Sequence, residues 1–149
     1  MQSQRGFTLL ELMIVVAIIA ILAGILIPNF THARAQAQTA ACESNLRQIA
    51  TAMELYYADN QEYPASGNVT SSAITANGVN YLNNTPVDPA AVSPTSPYTF
   101  VTTGSGATQS YVITCPGTHD PSTLQKITPG TVNHTLTYTS SVGLGTTSP

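Results

Sequence analysis

Hydrophobic positions crowd the start of the chain. From Phe7 to Ile27, 21 residues, only Thr8, Glu11 and Gly24 interrupt the apolar series, which shows no polar face. At about 1.5 Å per helical residue, such a run spans the roughly 30 Å hydrocarbon core of a bilayer. Residues 31–60 change character. They are rich in Ala, Gln, Leu and Glu and free of Pro and Gly, so the helix is predicted to continue to about Asp59. Pro28 removes one backbone hydrogen bond inside it and permits a kink. In the outer half, Cys42, Leu46, Ile49, Ala50, Met53 and Tyr57 recur at helical spacing, a stripe expected to carry the core. Pro, Gly, Asn and Ser then punctuate residues 61–97, read as a structured loop region. Strand signals begin at Tyr98. Tyr98–Thr103 and Ser110–Cys115 flank a Gly-Ser-rich turn, and Thr123–Thr128 and Thr131–Thr139 flank Pro129-Gly130, so residues 98–139 are predicted as two antiparallel hairpins. Alternation places Tyr111, Ile113 and Cys115 on one face, and Val132, His134, Leu136 and Tyr138 on another, both directed at the helix stripe. Residues 140–149 read as a loose tail. The expected fold class is α+β, a long N-terminal helix packed on a small antiparallel sheet.

Insertion energetics favour membrane residence for the first segment. Its 14 Leu, Ile, Val and Phe residues contribute together about −4 to −8 kcal/mol, against at most about +3 kcal/mol for one acidic residue near the helix centre. A secretory signal has a shorter apolar region followed by a small-residue cleavage site, a pattern this segment does not follow. Arg5 precedes the run, and positive charge prefers the cytoplasmic side, so the remaining chain is expected outside. Arg34 and Arg47 weaken that bias from the far side.

Glu11 needs a partner, because an unpaired carboxylate in hydrocarbon is costly. A cut after Gly6 supplies one: Phe7 gains an amine four residues before Glu11, on the same helical face. The same carboxylate is placed to reach the amine of a neighbouring helix and set an axial offset between subunits. The run Gly6-Phe7-Thr8-Leu9-Leu10-Glu11 resembles the class III prepilin signal of the type IV pilin superfamily, which includes the pseudopilins of type II secretion. The resemblance implies residues 1–6 as a leader and residues 7–30 as the transmembrane and filament-core helix. It also implies removal of the leader after Gly6 by a prepilin peptidase, N-methylation of Phe7, an assembly role for Glu11 and a helix kink at Pro28. The stretch L-Y-Y-A-D-N-Q-E-Y-P at residues 55–64 is similar to the end of the long helix in many pseudopilins and pilins. The implied protein is an inner-membrane, single-pass precursor whose C-terminal domain lies outside the cytoplasm, and an extracellular pilus after assembly. Its partners are further copies of itself in a helical filament, the peptidase, an assembly ATPase and a membrane platform. Adhesion, motility and DNA uptake are the functions the resemblance offers. A type II secretion pseudopilin in a short periplasmic filament, or a minor pilin acting as a tip binding module, is the alternative.

Composition narrows the remaining chemistry. The 149 residues hold one small domain besides the anchor, with a formal net charge of −3 and 7% charged residues. Beyond the leader only Arg34, Arg47 and Lys126 are basic, too few to grip a phosphate backbone, so no nucleic-acid partner is indicated. Cys42 and Cys115 fall in the exported portion, where disulfides persist, and are expected to pair as a disulfide, with two separate buried thiols as the alternative. No nucleophile, base and carboxylate share motif spacing with His32 or His134, so no enzyme is expected. No cofactor is expected either, with one candidate exception: Asp88 and His119-Asp120, should they meet, offer oxygens to calcium, which some pseudopilins similar around Asp88-Pro89 bind there.

Overall fold

A computed structural model describes residues 6–70, 73–91, 93, 96–119, 135–141 and 143–147. They divide into two units, one ending at Arg34 and one beginning at Ala35. A single helix, α1 (Leu9–Asn60), contributes to both and contains Pro28. In the first unit every apolar side chain from Phe7 to Phe30 is unburied. A helix that is apolar all round calls for a membrane or for other chains as its surroundings.

The second unit has its own core. A five-stranded antiparallel sheet runs in the order β1 (Gly67–Asn68), β4 (Thr99–Thr103), β5 (Ser110–Thr114), β6 (Thr135–Thr139), β7 (Gly143–Thr147). A two-stranded ribbon pairs β2 (Thr75–Ala76) with β3 (Val79–Asn80). The expected β4–β5 hairpin is present, with Phe100 opposite Ile113 and Thr102 opposite Tyr111. Its connection requires Gly104, which has φ +86° and whose place a Cβ would fill 2.7 Å from the Thr108 carbonyl oxygen.

The helix stripe buries Cys42, Leu46, Ile49, Ala50, Ala52 and Met53 in one cluster with Tyr98, Phe100, Tyr111, Ile113, Cys115 and Leu136 from the sheet. Val69, Ile74 and Leu82 close it from the region between helix and sheet. That region, read as loop over 61–97, thus contains three short strands and contributes to the core.

Three expectations need correction. Tyr57 is not a core residue; it is half-buried and stacks on Tyr63 at 4.6 Å, while Tyr56 packs against the core margin. Residues 140–149 are not simply a tail, because β7 pairs with β6 from Thr139↔Gly143 to Thr135↔Thr147. Its two glycines lower its strand propensity and hide it from a pattern reading, although Gly143 at φ +84° suits the turn. The second hairpin is also differently paired: β6 lies between β5 and β7. Thr123–Thr128, the first strand expected in that hairpin, lies outside the described residues, as do Pro129-Gly130, Val132 and His134.

A tyrosine network rims the core. The Tyr111 and Tyr63 hydroxyls donate to Glu54 Oε1 and Oε2 at 2.8 and 3.1 Å, and the two rings meet edge to face at 4.8 Å. Burial first, then the Glu54 charge, pushes Tyr63 up to about 12, and burial followed by the hydrogen bond to Glu54 raises Tyr111. Burial likewise pushes Tyr98 up to about 12, against the opposing hydrogen bond donated by Asn45. A phenol whose folded pKa is raised contributes stability below the unfolded value near 10 and loses it as pH rises through the folded value. Melting temperature is therefore expected to hold up to about pH 10 and then fall between about pH 10 and 12 as phenolate absorbance grows. Glu54→Gln should bring part of that absorbance change to lower pH; an unshifted titration would count against the Glu54 contribution.

Candidate functional site at the helix start

Gly6, Phe7 and Thr8 precede α1 in non-helical conformation. Thr8 and Glu11 then close a reciprocal pair. The Glu11 N–H donates to Thr8 Oγ1 at 3.2 Å, while Glu11 Oε2 accepts from the Thr8 N–H and hydroxyl, both at 2.8 Å. This is a capping box, which satisfies donors that the first helical turn leaves open and places a carboxylate at the positive end of the helix dipole. The first main-chain helical bond follows, from Leu12 N–H to the Thr8 carbonyl at 3.3 Å. The spacing Thr8-x-x-Glu11 is itself a capping-box signal in the sequence, beside the charge that singles out Glu11.

Phe7 is 85% exposed, and among the described residues a Cβ on Gly6 would meet nothing within 4 Å. The fold itself thus makes no steric demand for glycine at position 6. An 18-residue window of α1 has a mean hydropathy of 3.0 with none of it buried, so the helix is long and apolar enough to cross a membrane. Pro28 lies inside α1 without ending it. Polar side chains next to it bond back to the helix: Asn29 Nδ2 donates to the Ile25 carbonyl at 3.1 Å, and Thr31 Oγ1 to that of Pro28 at 2.9 Å.

The other predicted residues meet elsewhere. Cys42 of α1 and Cys115 after β5 are joined as a disulfide, with Cα atoms 6.9 Å apart. Asp88 and His119 also come together, buried, with His119 Nε2 3.7 Å from Asp88 Oδ2. Asp120 and Lys126 lie outside the described residues. Asp88 is held by backbone donors, Ala90 N–H on Oδ1 at 2.8 Å and Gly117 N–H on Oδ2 at 2.9 Å. Burial lowers the pKa of His119, with the Asp88 charge opposing. Sequence reading placed Asp88 and His119 in a loop and gave no sign that both would be buried against the cysteines.

A capped, all-round apolar helix start whose helix goes on to pack against an antiparallel sheet defines a pilin-type, membrane-anchorable α+β subunit. Residues 1–27 match the family model of the prokaryotic N-terminal methylation motif. The chain is 34% identical over 98 residues to the type II secretion system core protein G of Klebsiella michiganensis, covering 59% of this chain and 69% of that protein. It is 37% identical over 94 residues to the type IV wide pilus major component PilA4 of Thermus thermophilus, covering 54% and 72%. Against the type II secretion system core protein G of Pseudomonas aeruginosa it is 30% identical over 114 residues, covering 70% and 78%. The chain belongs to the type IV pilin superfamily.

Proposed function

We propose that this chain is a structural, non-enzymatic subunit of a type IV pilus-like filament. A prepilin peptidase removes residues 1–6, Phe7 is N-methylated, and α1 holds the subunit in the inner membrane until an ATPase-driven platform extracts it. The observation that carries this reading is the exposed Gly6-Phe7 junction set directly before a capping box and an unburied apolar helix. In the filament, neighbouring helices replace lipid around that helix, and Glu11 meets the Phe7 amine of the next subunit. A second reading, a pseudopilin in a short periplasmic filament, is favoured by the likeness to protein G of Pseudomonas aeruginosa over 78% of that protein.

Mass spectrometry of the sheared surface fraction separates the two. Abundant chain beginning at N-methylated Phe7 is the expected result, and the same terminus confined to membranes favours the pseudopilin. Gly6→Gln should leave the leader attached, with processed product reduced about five- to 150-fold, since one bulky group in a close-fitting site costs about 1–3 kcal/mol. Normal processing of that variant would overturn the cleavage assignment, because Gly6 has no steric role in the fold.

A further inference from the structure

Filament assembly makes no use of the buried polar cluster around the cysteines. Cys115 Sγ lies 2.8 Å from Asp88 Oδ2 and 3.1 Å from His119 Nε2. One donor atom from each of Cys42, Asp88, Cys115 and His119 lies within 4.8 Å of all the others, and none of the four residues is more than 3% exposed. A disulfide needs neither an imidazole nor a carboxylate beside it, yet both are buried here against the cysteine sulfurs. We propose that the dithiol form of this chain binds one zinc ion through Cys42, Asp88, Cys115 and His119.

The donor set decides the metal. Two thiolates, one imidazole and one carboxylate form a four-coordinate set of the kinds zinc takes, at about 2.0–2.3 Å. Tetrahedral ligands at those lengths lie about 3.3–3.8 Å from one another; all four donor atoms lie within 4.8 Å here, and the two sulfurs, bonded to each other in the disulfide, move apart to that separation once reduced. Calcium requires six to eight oxygens and is poorly served by sulfur and nitrogen. Outer support is present as well, since the Ala90 and Gly117 N–H groups fix the Asp88 carboxylate. Gly117 is needed for that approach: a Cβ there would strike the Asp88 carboxylate and come within 2.8 Å of the Ala90 carbonyl carbon. In binding, each thiol loses its proton to solvent and its sulfur forms one bond to zinc, with no change in oxidation state. The disulfide, with its sulfurs bonded to each other, excludes this, so the same two residues tie helix to sheet by either of two exclusive closures.

The test uses the full chain in detergent micelles, reduced with a non-chelating phosphine and titrated with cobalt(II) as the zinc probe. One cobalt per chain is expected, with a thiolate-to-cobalt charge-transfer band and the intense visible bands of a tetrahedral site, both bleached by added zinc. The disulfide form should show neither band, and calcium should not compete. Asp88→Asn and His119→Ala should each weaken cobalt binding by at least about tenfold, with circular dichroism confirming their folding. Should the reduced chain unfold, recovery of the native spectrum on adding zinc supports the site. Overturning results are a folded dithiol chain without the charge-transfer band, calcium displacing cobalt, folded variants that bind as tightly as the parent, or a reduced chain that zinc does not refold.

Discussion

Replacing both cysteines, Cys42→Ala with Cys115→Ala, is expected to lower the unfolding free energy of the second unit by about 4 kcal/mol. The disulfide spans 73 positions of sequence, and on the chain-entropy account a closed loop of that size removes about 4 kcal/mol of freedom from the unfolded chain. Small domains have only about 5–15 kcal/mol in total, so the loss is a large fraction of what holds the sheet on the helix. Because one covalent link is shared, either single substitution should cost nearly as much as the double, and the two costs should not add. Urea unfolding of the non-reduced parent, both single variants and the double variant measures this. Reduced, metal-free parent chain should fall close to the double variant. A double variant within about 1 kcal/mol of the parent would mean that Leu46, Ile49, Met53, Tyr111 and Ile113 hold the unit without the crosslink, since burying each large side chain contributes about 1.5–3 kcal/mol.

That packing is also where pattern reading succeeded. Cys42, Leu46, Ile49, Ala50 and Met53 obey the 3.6-residue period and Tyr111, Ile113 and Cys115 the period of two; all eight are buried. Such periodicities report which face of an element meets the core. Failures lie where turn chemistry or tertiary context decides instead. Asn77-Gly78 joins β2 to β3 with φ of 52° and 79°, a left-handed pair that marks a tight hairpin, and the many other turn residues of this segment mask that signal. Strand β7 was missed because Gly143 and Gly145 carry no strand signal; its partner β6 supplies the pairing. Asp88 and His119 are polar residues in Pro- and Gly-rich surroundings, so their burial follows from where the chain places them against Cys115 and from the backbone donors waiting there. At the helix start, in the sequence, the charge of Glu11 points outward to a neighbouring amine, while the structure shows the same side chain capping its own helix through Thr8.

The capping role of Glu11 and its proposed assembly role can be separated, because they make different demands on the side chain. As a cap it needs an acceptor oxygen facing the Thr8 N–H and hydroxyl; as an assembly residue it needs a negative charge facing a neighbouring amine. Glu11→Gln keeps the acceptor, since glutamine also serves at this position of a capping box, and removes the charge. Thr8→Val keeps the charge and removes the hydroxyl, at a cost of about 0.5–2 kcal/mol to the helix start. Truncating one partner of a desolvated charge pair costs about 2–5 kcal/mol, which per subunit contact is more than the cap is worth. Filament yield in the sheared fraction should therefore fall at least about tenfold for Glu11→Gln, while membrane-extracted subunit keeps its helix content. Thr8→Val should reduce yield less. Wild-type yield from Glu11→Gln together with a loss from Thr8→Val would assign Glu11 to capping alone and remove the charge pair from the account of assembly.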